Sequence, residues 1–416
     1  MKNSVQSPVC RRHHGRWLPS LRLNLDSSLA STAQRWITGI FRIPAASNRK
    51  TAHYYTIDFL RFIAAISVLI WHYQHFYFIK DSQRPIFEGS WVQPGYSVLK
   101  LFYDNGHFAV WLFWAISGFV FASTYAGRKT SVHDYFVNRF SRLYPLHFVT
   151  LLAVAIIQYF SLATVSAFQL YQINDFYHFV LNALMIPHWG LQAGFSFNAP
   201  IWSVSVEIGI YVIFFVFLSM SFRFGMASTA AFLLIFAFMT SYGVSGLDFW
   251  ICGMLFYCGS IIWIATSSLE KSPHVLLALS IALIVLAGAS EAAPAFRLAL
   301  LFSGMLVVAT ISDALVGSRI KIAMKWLGDC TYGIYLWHVP VQISLMTASD
   351  IVGYDRSVVG NLYFFVMFLA VMIAVGRFSY VHIEKPAQDY LRGRFLKRTG
   401  SPFRAEPSIT PLPPTS

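Results

Sequence analysis

The chain has 416 residues, of which 56% are hydrophobic and only 12% are charged. With its positive mean hydropathy, this composition excludes an ordinary soluble globule and predicts an integral membrane protein with many spans. The formal net charge of +13 could suggest nucleic acid, but the basic residues are scattered in short segments between apolar runs, as topology signals are. We therefore expect membrane lipids as partners and no nucleic acid.

The N-terminal segment differs from the rest of the chain. Residues 1–56 hold nine Lys or Arg and one acid, and no apolar run there is long enough for the core of a signal peptide. We predict that residues 1–54 form a basic, disordered cytoplasmic tail. A mis-assigned translation start is the alternative for residues 1–50.

The first apolar run, residues 57–79, contains Arg61 near its start and His72 near its end. On an α-helix, eleven positions make about three turns, so the two side chains lie on one face, about 16 Å apart along the axis. The pair predicts one wall of a cavity. The alternative is that Arg61 reaches the lipid headgroups and His72 merely sits at the opposite interface.

Further apolar runs predict an all-α, polytopic transmembrane helix bundle. They lie at residues 107–125, 143–163, a run that includes 202–211, 228–243, 247–266, 274–290, 295–312, 327–348 and 358–380. The stretch 174–187 is too short to cross comfortably. If it did cross, the chain would have about eleven spans and its two basic tails would lie on opposite sides, so about ten spans with both termini in the cytoplasm is the better prediction.

The loops carry charge of different kinds. Residues 80–106 are balanced in charge, as an outer loop permits, whereas the segments around 128–142 and 319–325 are basic and are predicted to be inner loops. Arg139 and Arg142 lie three positions apart, on one face of a helical approach that we expect to end at Pro145, so they could hold phosphates between them. They could equally be ordinary residues of a positive inner loop.

Two later spans contain polar residues. Ser203 and Tyr211 lie four positions to either side of Glu207, which puts the three on one helix face, about one turn inside the outer end of the span. An unpaired carboxylate in such a place is costly, so Glu207 either has a partner or stays protonated. His338 lies in an apolar run just before Pro340.

The four cysteines show no spacing typical of zinc sites. Cys252 and Cys258 could form a disulfide or a ligand pair, but helix packing is the better interpretation for them and for Cys330. We predict no metal site.

Five separated pieces of sequence occur in one order: Arg61 with His72, FWAISGF at 113–119, NRFSRLYP at 138–145, WSVSVE at 202–207 and YGIYLWHVP at 332–340. Together with EKP at 384–386, they resemble the acyltransferase 3 family of membrane acyltransferases. The likeness covers residues 55–390, which we take as one transmembrane domain. Residues 391–416 are expected to form a basic, then Pro-rich, disordered tail, without a fused SGNH-type domain.

The resemblance implies an enzyme of the bacterial inner membrane that moves an acyl group, often acetyl, from cytoplasmic acyl-CoA to a hydroxyl of a carbohydrate or glycolipid. It implies that Arg61 and His72 are the essential pair and that Arg139 and Arg142 lie near the phosphates of the donor. No tightly bound cofactor is expected. An acceptor or structural site is assigned to Trp202, Ser203, Glu207, Tyr335 and His338.

The residues themselves fit this chemistry. Acyl transfer to an alcohol needs a base, and histidine, with an ordinary pKa near about 6.5, suits that task. Arginines can supply positive charge for the thioester oxygen and for phosphates. A transporter or flippase of glycans or lipids remains the alternative, and a membrane scaffold without activity is a third reading. The identity of the acceptor and the length of the acyl group stay open.

Overall fold

The computed structural model describes residues 53–78, 92–128, 130–222, 224–270, 272–353 and 356–396. These residues fold into helices, and none of them belongs to a β-strand. The prediction of an all-α bundle is confirmed. The predicted tails, except for residues 53–54 and 391–396, lie outside the described residues.

The helices follow one another along the chain, with the longest described connection, residues 184–200, between α5 and α6. The first eight are α1 Tyr55–Trp71, α2 Tyr96–Asn105, α3 Ala109–Tyr125, α4 Val132–Val165, α5 Phe176–Ala183, α6 Ile201–Val216, α7 Leu218–Ser221 and α8 Met226–Ser241. The others are α9 Leu247–Ser268, α10 Pro273–Ala289, α11 Pro294–Asp313, α12 Ser318–Asp329, α13 Thr331–Val352, α14 Leu362–Ser379 and α15 Lys385–Phe395. The 3₁₀ helices are His72–Tyr77, Gly106–Phe108 and Arg356–Gly360, and Tyr380–Glu384 is a π-helical turn.

Helix α1 lies at the centre of this arrangement. It packs against α2, α3, α11, α12 and α13. Ala64 and Ala65, both 1% exposed, are small enough to let neighbouring helices approach closely. Its first turn is fixed because the Thr56 backbone N–H donates to Asp313 at 3.0 Å and the Thr56 hydroxyl donates to the Ala309 carbonyl at 2.5 Å.

Each predicted apolar run coincides with a helix. Among the described residues, six helical segments are long and apolar enough to cross a membrane by length and composition, and three shorter apolar helices, α6, α8 and α10, accompany them. Helix α5 has eight residues, which gives a length of only about 12 Å. That length agrees with the expectation that 174–187 does not cross. The number of spans itself stays a prediction.

The expected helix end at Pro145 is wrong. Helix α4 has 34 residues and continues through Pro145. Its length is about 51 Å, whereas the hydrocarbon core of a membrane is about 30 Å thick. Proline lacks one backbone donor but does not by itself end a helix whose other turns are well packed. Arg139 and Arg142 therefore belong to the same continuous helix as the apolar run that follows them.

Three segments predicted as loops or tail contain helix. Helix α2 lies in the predicted outer loop, α12 lies in the predicted basic inner loop, and α15 continues to Phe395, five residues into the predicted tail. All three are amphipathic and polar, so a search for long apolar runs does not find them. Each gains its stability from packing on a neighbouring helix, α2 and α12 on α1 and α15 on α4.

Helices α3 and α9 make the closest contact in the bundle. A Cβ atom on Gly118 would lie 1.7 Å from the Phe256 carbonyl oxygen, and one on Gly259 would lie 1.9 Å from the Ala115 carbonyl oxygen. The Ser260 hydroxyl donates to the Gly118 carbonyl at 3.1 Å across the same contact. Only glycine fits at these two positions, as in other small-residue contacts between membrane helices.

This contact gives a first prediction. Gly118→Ala should destabilise the protein by about 1–3 kcal/mol, because the added methyl group forces the two backbones apart. Gly288→Ala is the matched control, since a Cβ at that position of α10 meets nothing within 4 Å. Thermal unfolding of the purified proteins in detergent measures both, and equal melting temperatures for the two variants would contradict the packing argument.

Candidate active site

The polar residues inside the bundle form two groups at the two ends of α1. The arginine group surrounds Arg61 and contains arginines and carboxyl groups, and the histidine group surrounds His72 and contains histidines. Arg61 thus lies within α1 and His72 directly after its end, in two different environments.

His72 lies where the helical conformation changes. Helix α1 ends at Trp71, and His72 begins the 3₁₀ helix that follows. Its Nδ1 lies 2.9 Å from the Val68 carbonyl oxygen, and since that oxygen can only accept, Nδ1 carries the proton and donates. Nε2 is then an unprotonated acceptor, which is the form that a general base requires.

His338 lies directly beside His72. The two ring centroids are 4.7 Å apart, and the His75 ring is 4.8 Å from that of His72. His338 is 1% exposed, and its Nδ1 donates to the Tyr335 carbonyl at 2.7 Å. Within the described part of the chain, its buried Nε2 has no hydrogen-bond partner. His338 therefore brings a buried ring nitrogen without a partner among the described residues next to the ring of His72.

Gln342 connects this group and was not found from the sequence. Its amide nitrogen donates to the His72 carbonyl at 2.9 Å, and its amide oxygen accepts from His75 Nδ1 at 3.0 Å. Gln342 is fully buried. It lies four positions after His338 on α13, on the same helix face, and that spacing was the available signal.

Tyr335 and Ser203 lie between the two groups. Their hydroxyl oxygens are 2.6 Å apart, and the Tyr335 hydroxyl also reaches the Pro200 carbonyl at 2.8 Å. The Ser203 carbonyl accepts from the Trp114 indole at 3.4 Å. Ser203 therefore binds Tyr335 on α13 rather than Glu207 on its own helix. These contacts join α6 to α13 and fix the middle of the site.

A buried ion pair anchors the arginine group. Arg142 Nη1 lies 3.2 Å from Glu384 Oε2, and Glu384 is 4% exposed. The Arg142 guanidinium also lies 5.8 Å from the centre of the Tyr332 ring. The glutamate of the EKP motif is thus the partner of an arginine from α4. The two residues are 242 positions apart in the sequence.

Arg139 lies on aromatic rings. Its guanidinium carbon is 4.6 Å from the centre of the Phe121 ring and 6.0 Å from that of Tyr125. Such contacts hold a cation with little use of its hydrogen-bonding capacity. Its buried Nε has no hydrogen-bond partner among the residues that the structure describes.

Glu207 has the partners that a buried carboxyl group needs. The Tyr211 hydroxyl donates to its Oε1 at 2.5 Å, and the Ser117 hydroxyl also hydrogen-bonds to it. The positive charges of Arg139 and Arg61 act on it through space. Arg61 itself lies 3.8 Å from Asp58. Of the two alternatives for Glu207, a partner or protonation, the structure shows partners: the hydroxyl groups of Tyr211 and Ser117 and the charges of two arginines.

The position of Glu207 along its helix is close to the expected one. Helix α6 begins at Ile201, so Glu207 lies nearly two turns into a helix of 16 residues, and the charges of Arg61 and Arg139 act on it there. Glu207 and Arg61 therefore belong to one group.

Trp202 faces the loop between α5 and α6. Its ring centre lies 5.2 Å from that of His188, whose Nε2 is 3.0 Å from an Asp248 carboxylate oxygen. At the start of α5, Asp175 accepts from the backbone N–H and from Nδ1 of His178, both at 2.8 Å. These hydrogen bonds hold the pKa of Asp175 below its ordinary value. Hydrogen bonds between side chains therefore hold the loop in place beside Trp202.

The fold and the site define the class of this molecule: a helical membrane protein with a buried histidine group and a buried arginine group. A family model described as an acyltransferase domain matches residues 54–377, and the chain therefore belongs to the acyltransferase 3 family. The resemblance seen in the motifs is confirmed, and the protein is an acyltransferase by family.

A relative supports the same assignment over part of the chain. The acyltransferase MdmB of Streptomyces mycarofaciens is 33% identical over 161 residues. That alignment covers 37% of this chain and 36% of the relative, so it spans about a third of each. No solved structure matches the chain.

The bonds of Gln342 give a second prediction. Gln342→Leu should lower kcat for acyl transfer at least about tenfold, because His75 and the His72 carbonyl each lose a partner and the His72 ring loses its fixed position. KM for the acyl donor should stay the same, since the arginine group is not touched.

Ser344→Ala is the control for Gln342→Leu. Ser344 lies two positions further along α13 and donates only to the Pro340 carbonyl of its own helix. Steady-state kinetics in nanodiscs measure all three proteins. A Gln342→Leu enzyme with the kcat of Ser344→Ala would show that Gln342 does not position His72.

Proposed function

We propose that the protein transfers an acyl group, acetyl in the first instance, from acyl-CoA to a hydroxyl group of a carbohydrate. The observation that carries this proposal is the contact of His72 Nδ1 with the Val68 carbonyl, which leaves Nε2 as the acceptor, at one end of α1 with arginines at the other end. The first provides a base and the second provides charges for phosphates. The family assignment supports the reaction class.

His72 acts as the general base in this proposal. Its Nε2 takes the proton of the acceptor hydroxyl while the oxygen attacks the thioester carbonyl carbon. The C–S bond then breaks, the acyl group stays on the acceptor oxygen, and the CoA sulfur leaves with the proton that His72 held. His338, with its own free nitrogen 4.7 Å away by ring centres, can orient the acceptor hydroxyl.

The arginine group suits the phosphates of the donor. Arg139 and Arg142 project from one face of α4, and guanidinium groups bind phosphate oxygens through paired, charge-assisted hydrogen bonds. The distance along α1 from Arg61 to His72 is about 16 Å. A long pantetheine arm can cover such a distance, so phosphates at one end and a thioester at the other form a consistent arrangement.

This arrangement sets the sidedness that we propose. Acyl-CoA is cytoplasmic, so the arginine end faces the cytoplasm, in agreement with the basic segments on either side of it. Both termini then lie in the cytoplasm, and the His72 end faces the opposite side of a bacterial inner membrane. The acyl group reaches His72 through the interior of the bundle while CoA stays on its own side.

The aromatic loop beside Trp202 supports a carbohydrate acceptor. Trp202 and His188 offer ring faces, and Asp248 and Gln192 offer polar groups next to them. Ligand sites are lined mostly by apolar and aromatic side chains with a small number of polar groups that orient the ligand. Tyr171, 6.1 Å from His75 and 6.3 Å from Phe195 by ring centres, connects this loop to the histidine group.

A substitution of His72 tests this function. His72→Ala should lower transfer at least about a hundredfold, since a positioned base contributes factors of that order. The assay is transfer of labelled acetyl from acetyl-CoA to surface glycans by purified protein in nanodiscs. His133→Ala is the control, because His133 is exposed at the start of α4 and lies outside the site.

Two outcomes decide the matter. Near-normal transfer by a folded His72→Ala protein would remove the base from the proposal. Mass spectrometry of surface glycans from cells with and without the gene identifies the acceptor, and identical acyl content in the two samples would contradict a glycan acceptor.

A further inference from the structure

We propose that Arg392 of helix α15 completes a phosphate-binding site with Arg139 and Arg142 of helix α4. This inference rests on the function proposed above and extends it to a residue outside the segment 54–377 that the family model matches. The ligand chemistry is a phosphate group, and the source that we assign is the nucleotide part of acyl-CoA.

The fold brings the three arginines together. After α14, the chain continues through the π-helical turn Tyr380–Glu384 into α15, which packs against α4. Glu384, at the end of that turn, is fixed by its ion pair with Arg142 at 3.2 Å. The packing of α15 on α4 brings Arg392 close enough to Arg139 and Arg142 for their positive charges to act on it.

The hydrogen-bonding capacity of this group is not used up inside the protein. The buried Nε atoms of Arg139 and of Arg392 have no hydrogen-bond partner among the residues that the structure describes. A buried donor without an acceptor destabilises the protein. Two such donors on neighbouring cations indicate that an acceptor-rich ligand binds there.

The carboxyl groups nearby already have cationic partners. Glu384 is paired with Arg142, Glu207 acts on Arg139 through space, and Asp389 of α15 is paired with Lys385 at 2.7 Å. Three guanidinium groups therefore face two buried carboxyl groups, so a positive charge is left for an anion. A phosphate group with two or more charges meets that need better than a further carboxylate.

The experiment measures binding of free CoA and of pantetheine, which lacks phosphate, to purified protein in nanodiscs of phosphatidylcholine. Arg392→Ala should weaken CoA binding at least about tenfold, as loss of a charge-assisted hydrogen bond does. Pantetheine binding should not change. Arg394→Ala is the matched control, because Arg394 lies on the exposed side of α15, and it should bind both molecules as the wild type does.

The outcomes separate this inference from the proposed function. If the wild type fails to bind CoA, both the donor and the Arg392 site are wrong. If the wild type binds CoA and Arg392→Ala binds it equally well, only the Arg392 site is wrong. Equal weakening of CoA and pantetheine would also overturn the assignment, because it would report a change in shape and not the loss of a phosphate contact.

A lipid headgroup is the other source of the same chemistry. Nanodiscs that contain phosphatidylglycerol provide the comparison. If Arg392→Ala changes the thermal stability gained from phosphatidylglycerol but leaves CoA binding intact, the site binds lipid and the assignment to the donor is overturned. If the site binds the donor, Arg392→Ala lowers the affinity for CoA in nanodiscs of either lipid.

Discussion

The cost of leaving a polar group without a partner inside a membrane controls this structure. Carboxyl groups, arginines and histidines occur along otherwise apolar helices, and each must find a partner on another helix, because water is scarce there. Arg142 with Glu384, Glu207 with Ser117 of α3, and Gln342 with His75 meet this need. The same contacts fix how the helices are arranged, so the packing of the bundle and the construction of its site are one problem.

Much of the helix order can be predicted from the sequence because long apolar runs need no knowledge of their neighbours. The polar helices α2, α12 and α15 escape this method, since they are stable only on another helix. Pro145 misleads for a related reason. Its effect on a helix depends on the packing around it, and the packing of α4 allows the helix to continue.

The candidate site residues also divide into those that the sequence identifies and those that only the structure shows. His72, His338, Arg139 and Arg142 are recognisable from type and spacing, and the family motifs place them in order. Which residues meet across helices is not encoded in spacing within one helix. The pairing of Arg142 with Glu384 and the bridging role of Gln342 depend on how α4, α13 and the last turn are arranged, so they require the three-dimensional structure.

The glycine contact between α3 and α9 has a mechanical consequence. Backbone atoms touch at both Gly118 and Gly259, with no side chain between the helices that could adjust. Two rods in such contact cannot slide or rotate past each other without collision, so α3 and α9 move as one rigid body. Any opening that admits substrates must then involve other elements. Helix α15, attached through a π-helical turn and packed on one side of α4, has fewer such restraints.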